Sequence, residues 1–198
     1  LAPIGVVSAV DHNDASPADH AVLERTDTNA THVWEEMAPV SVARLAYDGV
    51  EVLGDKIYFV GGGDNSGGIN VVERLDPTTN QWETLSPMSV ARAGMAAAVL
   101  NGKLYAIGGQ DLSSVEIFDP VAGQWSAGPA LPSEVNHGTA ITVGGKILLV
   151  GGRNSADQNI NQVLELDPAT NEWSQKAPMP TTRHAMKLVL FEGNVWAI

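Results

Sequence analysis

Lys103-Leu104-Tyr105-Ala106-Ile107-Gly108-Gly109 and Val115-Glu116-Ile117-Phe118-Asp119-Pro120 are the two stretches that decide the fold. The first is a short apolar run that ends in a glycine pair, and the second is a short run that ends in Asp-Pro. Trp125 follows Asp119 by six residues and opens a third run. Short apolar runs bounded by Gly, Asp and Pro are typical of β-strands joined by tight turns.

The same order of signals returns along the chain, which indicates an internal repeat. Tryptophans stand at intervals of 48, 43 and 48 residues: Trp34, Trp82, Trp125 and Trp173. Glycine pairs occur at Gly61-Gly62, Gly108-Gly109 and Gly151-Gly152, and Asp-Pro occurs at Asp76-Pro77, Asp119-Pro120 and Asp167-Pro168.

Turn signals divide each repeat into four short strands, which we name a, b, c and d. Between a and b lies a hairpin signal such as Asn101-Gly102 or Gly144-Gly145, which tolerates positive φ. Between c and d, Asn80, Gly123 and Asn171 stand where a left-handed residue is expected. No segment has helical periodicity.

The glycine pair, the Asp-Pro and the Trp six residues after the Asp, repeated three times, resemble the kelch family. The resemblance covers about residues 22–198. It implies an all-β fold, a kelch-type β-propeller built from four-stranded antiparallel blades arranged around a common axis.

We expect one propeller domain, or one propeller segment, over residues 1–198. The units are approximately 1–36 (partial, strands c–d), 37–84, 85–127, 128–175 and 176–198 (partial, strands a–b), and Ile4–Val10 is a worn strand b. Two alternatives follow. The terminal a–b and the N-terminal c–d close a four-bladed ring, which removes exposed strand edges, or the chain is a segment of a larger propeller.

Composition restricts the partners. A net charge of −12 argues against nucleic acid, because phosphate binding needs a basic surface. The absence of Cys excludes thiolate chemistry and Cys-ligated zinc. The histidines lack metal-ligand spacing, and the acidic loop Asp11–Asp19 lacks a calcium pattern, so no cofactor or metal is predicted. No apolar run is long enough to insert into a membrane. The balance favours an extracellular or bacterial cell-surface protein.

Strand order predicts which loops share a face. Because a, b, c and d alternate in direction, the b–c and d–a connections emerge on one face, which we call the loop face. The b–c connections vary most between units, and variable loops on a regular scaffold are where binding usually lies. Asp64, Asn65 and Arg153 in these connections are therefore predicted ligand contacts.

A second group of predicted contacts stands at the start of strand a. Arg44, Arg92 and Arg183 each lie ten residues past a Trp, and His184 follows Arg183. We expect an extra residue in the third unit to place Asn136-His137 at this position. The kelch resemblance implies an arginine cluster at the channel mouth that binds acidic peptides, since guanidinium suits bidentate carboxylate contact. The alternative is that these arginines act within the repeat, bonding backbone or an acidic side chain.

The sequence thus favours a non-catalytic propeller that binds a protein, an acidic peptide or a glycan through the loop face. One alternative is a carbohydrate-active enzyme resembling sialic-acid mutarotases, with carboxylates, Arg and His around the channel. Another is a structural module of a large surface protein. Glu24, Glu73 and Glu116 recur at one repeat position, which favours a structural role for them.

Overall fold

The computed structural model describes residues 22–26, 32–45 and 48–198, and these residues form eighteen β-strands. The strands are β1 (Val22–Thr26), β2 (His32–Glu36), β3 (Val50–Leu53), β4 (Lys56–Val60), β5 (Gly63–Asp64), β6 (Gly67–Gly68), β7 (Val72–Asp76), β8 (Gln81–Thr84), β9 (Ala96–Leu100), β10 (Lys103–Ile107), β11 (Val115–Asp119), β12 (Gln124–Ala127), β13 (Thr139–Val143), β14 (Lys146–Val150), β15 (Val163–Asp167), β16 (Glu172–Gln175), β17 (Leu188–Phe191) and β18 (Asn194–Ala197).

Three antiparallel four-stranded sheets lie within residues 50–84, 96–127 and 139–175. Their orders are β3-β4-β7-β8, β9-β10-β11-β12 and β13-β14-β15-β16, which we call blades 1, 2 and 3. The innermost strands adjoin in sequence order: β3 lies beside β9, β9 beside β13, and β13 beside β17. The predicted all-β fold of four-stranded antiparallel blades is confirmed.

The two partial units form hairpins of their own. β1 pairs with β2, and β17 pairs with β18, as separate two-stranded sheets. Closure of a four-bladed ring therefore stays a prediction, beside the larger propeller. Ile4–Val10 and the loop Asp11–Asp19 lie outside the described residues. Across the described ranges there is no helix, and so none that is long and apolar enough to cross a membrane.

The Asp of each Asp-Pro turn has two roles. Its Oδ1 caps the turn, as where Asp76 accepts a bond from the Thr78 amide at 2.9 Å. Its Oδ2 binds the lysine that opens strand b of the same blade, at 2.8 Å for Lys56–Asp76, 3.1 Å for Lys103–Asp119 and 3.0 Å for Lys146–Asp167. The expected left-handed residues are confirmed, with φ of 56° at Asn80, 65° at Gly123 and 58° at Asn171.

The Trp of each complete unit holds the outermost strand of its blade in place. The Trp82 indole donates to the Ala38 carbonyl at 2.7 Å, and Ala38 lies in the connection that leads into β3. Trp125 donates to Ser86 and Trp173 to Pro129 in the same way, both at 2.9 Å. The tryptophan thus joins the two ends of one blade, which explains why it recurs in each complete unit.

Each glycine pair is hydrogen-bonded to the d–a connection that follows its blade. The Gly62 amide donates to the Arg92 carbonyl at 2.9 Å. Gly109 donates to Val135 at 2.9 Å, and Gly152 to Arg183 at 2.8 Å. At Gly108 a Cβ would lie 2.6 Å from the Val135 carbonyl oxygen, and φ there is 62°, so both the close approach and the backbone require glycine.

The core lies between blades rather than within one. Tyr58 and Val60 of blade 1 pack with Leu104 and Phe118 of blade 2. A second cluster joins blades 2 and 3 through residues such as Ile107, Val115, Ile147, Leu149 and Leu164. Alternate residues of one sheet face each neighbour, so every blade depends on the blade beside it for burial.

Two of the predicted site arginines belong to the fold instead. Arg92 is fully buried, and its Nη2 lies 3.1 Å from Glu116 Oε1, while its Nη1 donates to the Gly108 carbonyl at 2.7 Å. Arg44 is 7% exposed and lies 2.6 Å from Glu73 Oε2. Glu73 and Glu116 are strand-c residues of the same blades. The alternative that these arginines act within the repeat is therefore correct for both.

Blade 3 replaces this ion pair by two apolar side chains. The Val135 carbonyl accepts the Gly109 amide just as the Arg92 carbonyl accepts the Gly62 amide. Val135, and not Asn136 or His137, is thus the counterpart of Arg92, and our expectation for the third unit was wrong. Leu164 takes the place of Glu116, and Val135 and Leu164 share one buried cluster. A buried charge needs its partner, so both are exchanged together.

Asp48 ties the inner strands of several units together, at a point we call the axial junction. Its carbonyl accepts the Ala97 amide of β9 at 3.0 Å, and its Oδ2 accepts the Ala140 amide of β13 at 3.1 Å. Lys187, just before β17, places Nζ 3.5 Å from Asp48 Oδ1. Burial raises the pKa of Asp48 to about 6, although the hydrogen bond from the Ala140 amide and the positive charge of Lys187 act to lower it. Burial and the nearby Asp48 raise the pKa of Glu51 to about 7.

Blade 3 supplies the design for a stability test of the buried ion pair. Glu116→Leu leaves Arg92 buried without its carboxylate, which should lower the free energy of unfolding by about 3–5 kcal/mol. Arg92→Val combined with Glu116→Leu copies Val135 and Leu164 and should cost less than Glu116→Leu alone. Urea unfolding of both variants, with Arg92→Val completing the cycle, measures the coupling. Additive costs would contradict the exchange described here.

The axial junction should make stability depend on pH. Because the pKa values of Asp48 and Glu51 are raised in the folded chain, the folded state holds their protons more tightly than the unfolded state. Their contribution to stability is therefore present at pH 4 and is lost as pH rises toward 7. Asp48→Asn/Glu51→Gln should be stabilised relative to the wild type more at pH 8 than at pH 4, measured by urea unfolding. A difference that does not vary with pH would refute the assignment.

Candidate functional site

The loop face carries the b–c and d–a connections of every described blade. Between blades 2 and 3, three connections converge there: β10–β11, β12–β13 and β14–β15. Asn136 and Arg153 bind one another through both backbone groups, at 3.0 and 2.6 Å, so two of the connections are held together. This pairing brings two predicted site residues into contact.

A recess of about 210 Å³ opens where these connections meet. We call it the blade 2–3 recess, and it is lined by polar side chains, among them Gln110, Asp111, Glu134, Asn136, Arg153 and Asp157. Three carboxylates stand there against one guanidinium. The recess therefore has an excess of negative charge and of hydrogen-bond acceptors.

The guanidinium in the recess is already engaged. Arg153 Nη1 lies 2.9 Å from Asp157 Oδ1, and its Nε donates to Asn159 Oδ1 at 3.3 Å. Asn154 Oδ1 accepts the amides of Ala156 and Gln158, both at 3.0 Å, and so shapes the same loop. All of these bonds lie within the β14–β15 connection, and they hold the part of the recess rim that this connection forms.

Two histidines lie beside the recess at the start of strand a. The rings of His137 and His184 meet edge to face, with centroids 6.2 Å apart. The His137 amide donates to the Gly94 carbonyl at 2.7 Å, and its carbonyl accepts the Ala185 amide at 3.0 Å. Burial, followed by the charges of Arg153 and His184, lowers the pKa of His137, which favours the neutral ring.

The remaining predicted contacts stand apart from the recess. Arg183 is exposed, and its Nε donates to Thr181 Oγ1 at 3.0 Å. Asp64 and Asn65 lie in the small β5–β6 hairpin, where Asp64 Oδ1 accepts the Ser66 amide at 2.7 Å.

Arg44 and Arg92 do not reach the loop face as free guanidinium groups, because both are buried and paired. The predicted cluster of three exposed arginines is therefore absent from the described residues, with Arg183 the one of the three left exposed. Burial raises the pKa of Glu116, but the bonds from Ser89 and Arg92 outweigh it and hold that pKa below its usual range.

Several residues of the site were not predicted from the sequence. Gln110 and Asp111 lie in a b–c connection that the repeat pattern did mark as variable, but Glu134 lies in a d–a connection. Glu51 had a usable signal: it stands where the other units have Ala98, Ile141 and Val189, as the β-pairings show. A lone carboxylate at an otherwise apolar inner position marks the axial junction.

Among the described residues, no group of three or more His, Asp or Glu side chains is arranged to hold a metal ion. The chemistry available at the recess is hydrogen bonding and charge attraction. At the axial junction, the carboxyl groups of Asp48 and Glu51 with their raised pKa values add the capacity to hold a proton near neutral pH.

Comparisons with known proteins agree with this architecture. The Kelch motif model matches residues 47–89, 91–132 and 136–180. The structure of YjhT superposes with a TM-score of 0.77 and 21% sequence identity, covering 98% of this chain and 72% of that one. This likeness concerns the fold.

Similar sequences include human Kelch repeat and BTB domain-containing protein 12, 29% identical over 170 residues, and Danio rerio Kelch-like protein 26, 32% identical over 148 residues. These alignments cover 71% and 69% of this chain but only 27% and 24% of the relatives' lengths. The three matched motifs account for more than half of the sequence, and the chain belongs to the kelch-repeat family.

Proposed function

We propose that this chain is a non-catalytic protein-interaction module that binds its partner through the loop face. The observation that carries the proposal is the blade 2–3 recess, where three connections from neighbouring blades meet in a fixed arrangement. Similarity to kelch-like proteins supports a protein partner.

The burial of two arginines bears on the kind of partner. An acidic peptide would need several free guanidinium groups at the channel mouth, and Arg44 and Arg92 are paired with Glu73 and Glu116. Arg183 alone of that group stays exposed. A partner with an extended acidic motif is therefore less well supported than a protein surface that contacts several loops.

Matched surface variants test the binding face. Asn65→Ala/Arg183→Ala/His184→Ala alters the loop face. Val121→Ala/Thr170→Ala/Glu172→Ala alters two c–d turns and the first residue of β16 on the opposite face, where Val121 is 97% exposed. Partners captured by the wild type from extracts of the source organism, then purified, should bind the loop-face variant at least about tenfold more weakly, a loss of about 1.4 kcal/mol.

The opposite-face variant should bind those partners as the wild type does. Thermal unfolding of both variants checks that the fold is intact. Retained binding by the loop-face variant, with loss by the opposite-face variant, would place the interface on the other side and refute the proposal.

A second candidate is a carbohydrate-active enzyme resembling sialic-acid mutarotases. The observation that favours it is the axial junction, where Asp48 and Glu51 have raised pKa values beside Lys187. A carboxyl group that titrates near the working pH suits general acid–base catalysis. The hydrogen bond from Ala140 to Asp48 gives the same group a structural task, which favours the binding module.

NMR measurement of anomer interconversion in sialic acid separates the two candidates. If the chain is an enzyme, the wild type accelerates the interconversion with a pH dependence between about 6 and about 7, where the carboxyl pair titrates. Glu51→Gln should then lose about 100-fold or more of the rate. We expect no acceleration, because we assign the junction to stability.

A further inference from the structure

The size of the blade 2–3 recess limits what can occupy it. Pockets that hold drug-sized ligands span roughly 300–1,000 Å³. At about 210 Å³ the recess is smaller than this and matches a single long side chain or a fragment of similar volume. An occupant of this kind would be one residue of a larger partner.

The charge of the recess determines whether that residue should be positively or negatively charged. Arg153 is neutralised by Asp157 at 2.9 Å. None of the ion pairs among the described residues includes Asp111 or Glu134, so two carboxylates are left for an occupant. A second carboxylate brought in by a partner would be repelled, whereas a cation would gain both charges.

The lining also argues against a sugar. Gln110, Asn154 and Ser155 offer hydrogen bonds. None of the described residues that line the recess is aromatic, so they offer a pyranose ring no aromatic face to stack on. Acceptor groups outnumber donors, which favours an occupant rich in N–H donors. Guanidinium and ammonium groups have donors and no acceptors.

We propose that the blade 2–3 recess is a subsite for one cationic side chain, arginine or lysine, of the protein partner. The inference rests on the proposed function and names the chemistry that its loop face selects. Asp111 and Glu134 bind the cation from two different connections, β10–β11 and β12–β13. The net charge of −12 on the whole chain attracts a basic partner from a distance before this contact forms.

The test uses short peptides on the ¹⁵N-labelled full chain, followed by NMR. The probes are acetyl-Gly-Arg-Gly-amide, its lysine analogue, its citrulline analogue, which keeps the shape of arginine without the charge, and its glutamate analogue. The arginine and lysine probes should cause saturable shifts at the amides of Asp111, Glu134 and Arg153. Citrulline should bind at least about tenfold more weakly, and glutamate should not bind.

Matched charge variants locate the effect. Asp111→Asn/Glu134→Gln should weaken the arginine probe at least tenfold. Asn is suited to position 111, because Asp111 has a φ of 57° and Asn tolerates this left-handed region. Glu172→Gln/Glu192→Gln removes two exposed charges on the opposite face, at the first residue of β16 and in the β17–β18 turn, and should leave binding unchanged.

Four results would overturn the subsite: no saturable binding of the arginine and lysine probes, equal binding of citrulline and arginine, preferred binding of glutamate, or equal weakening by both double variants. The comparison of citrulline with arginine needs only the wild type, so it holds even if a variant fails to fold. Loss of partner binding in the loop-face variant, together with a negative peptide result, would refute the subsite and leave the proposed function standing.

Discussion

The close contact between each glycine pair and the d–a connection that follows its blade is the constraint on which the described architecture depends. Here the backbone of one blade comes so near the following d–a connection that no Cβ fits, and an amide-to-carbonyl bond fixes the distance. The core lies between blades, so the spacing of that joint determines how well the apolar faces meet. The tryptophan bonds then hold each blade together from its outer edge.

The buried ion pairs explain why two arginines of the repeat pattern are not free to contact a ligand. Arg44 and Arg92 stand at the position that the resemblance associates with acidic ligands, but a glutamate of strand c in the same blade meets each of them. With those charges satisfied inside, the loop face between blades 2 and 3 has more carboxylate than guanidinium. The binding surface proposed for this chain therefore depends on blade-specific loop residues rather than on residues that recur in every unit.

The repeat pattern was sufficient to predict the strands, their order and the left-handed turn residues, because each depends on local spacing and on backbone chemistry. The repeat pattern did not predict whether each arginine side chain is buried in its blade or exposed on the loop face. This depends on whether strand c of the blade carries a carboxylate. The extra residue that we expected in the third unit placed Asn136 and His137 at this position, whereas Val135 stands ten residues past Trp125 and the Gly109–Val135 hydrogen bond identifies it as the counterpart. The axial junction was missed because Asp48 meets Lys187 across 139 positions of sequence.

The blade 2–3 recess has walls that belong to different units. These walls are formed by the b–c connections of blades 2 and 3 and by the d–a connection between the two blades. Duplicating or deleting one whole unit during evolution would leave every sheet intact, yet it would pair old walls with new ones and create a recess of altered shape and charge. Specificity in such an array can thus change through recombination of repeats, without any substitution in the strands that keep it folded.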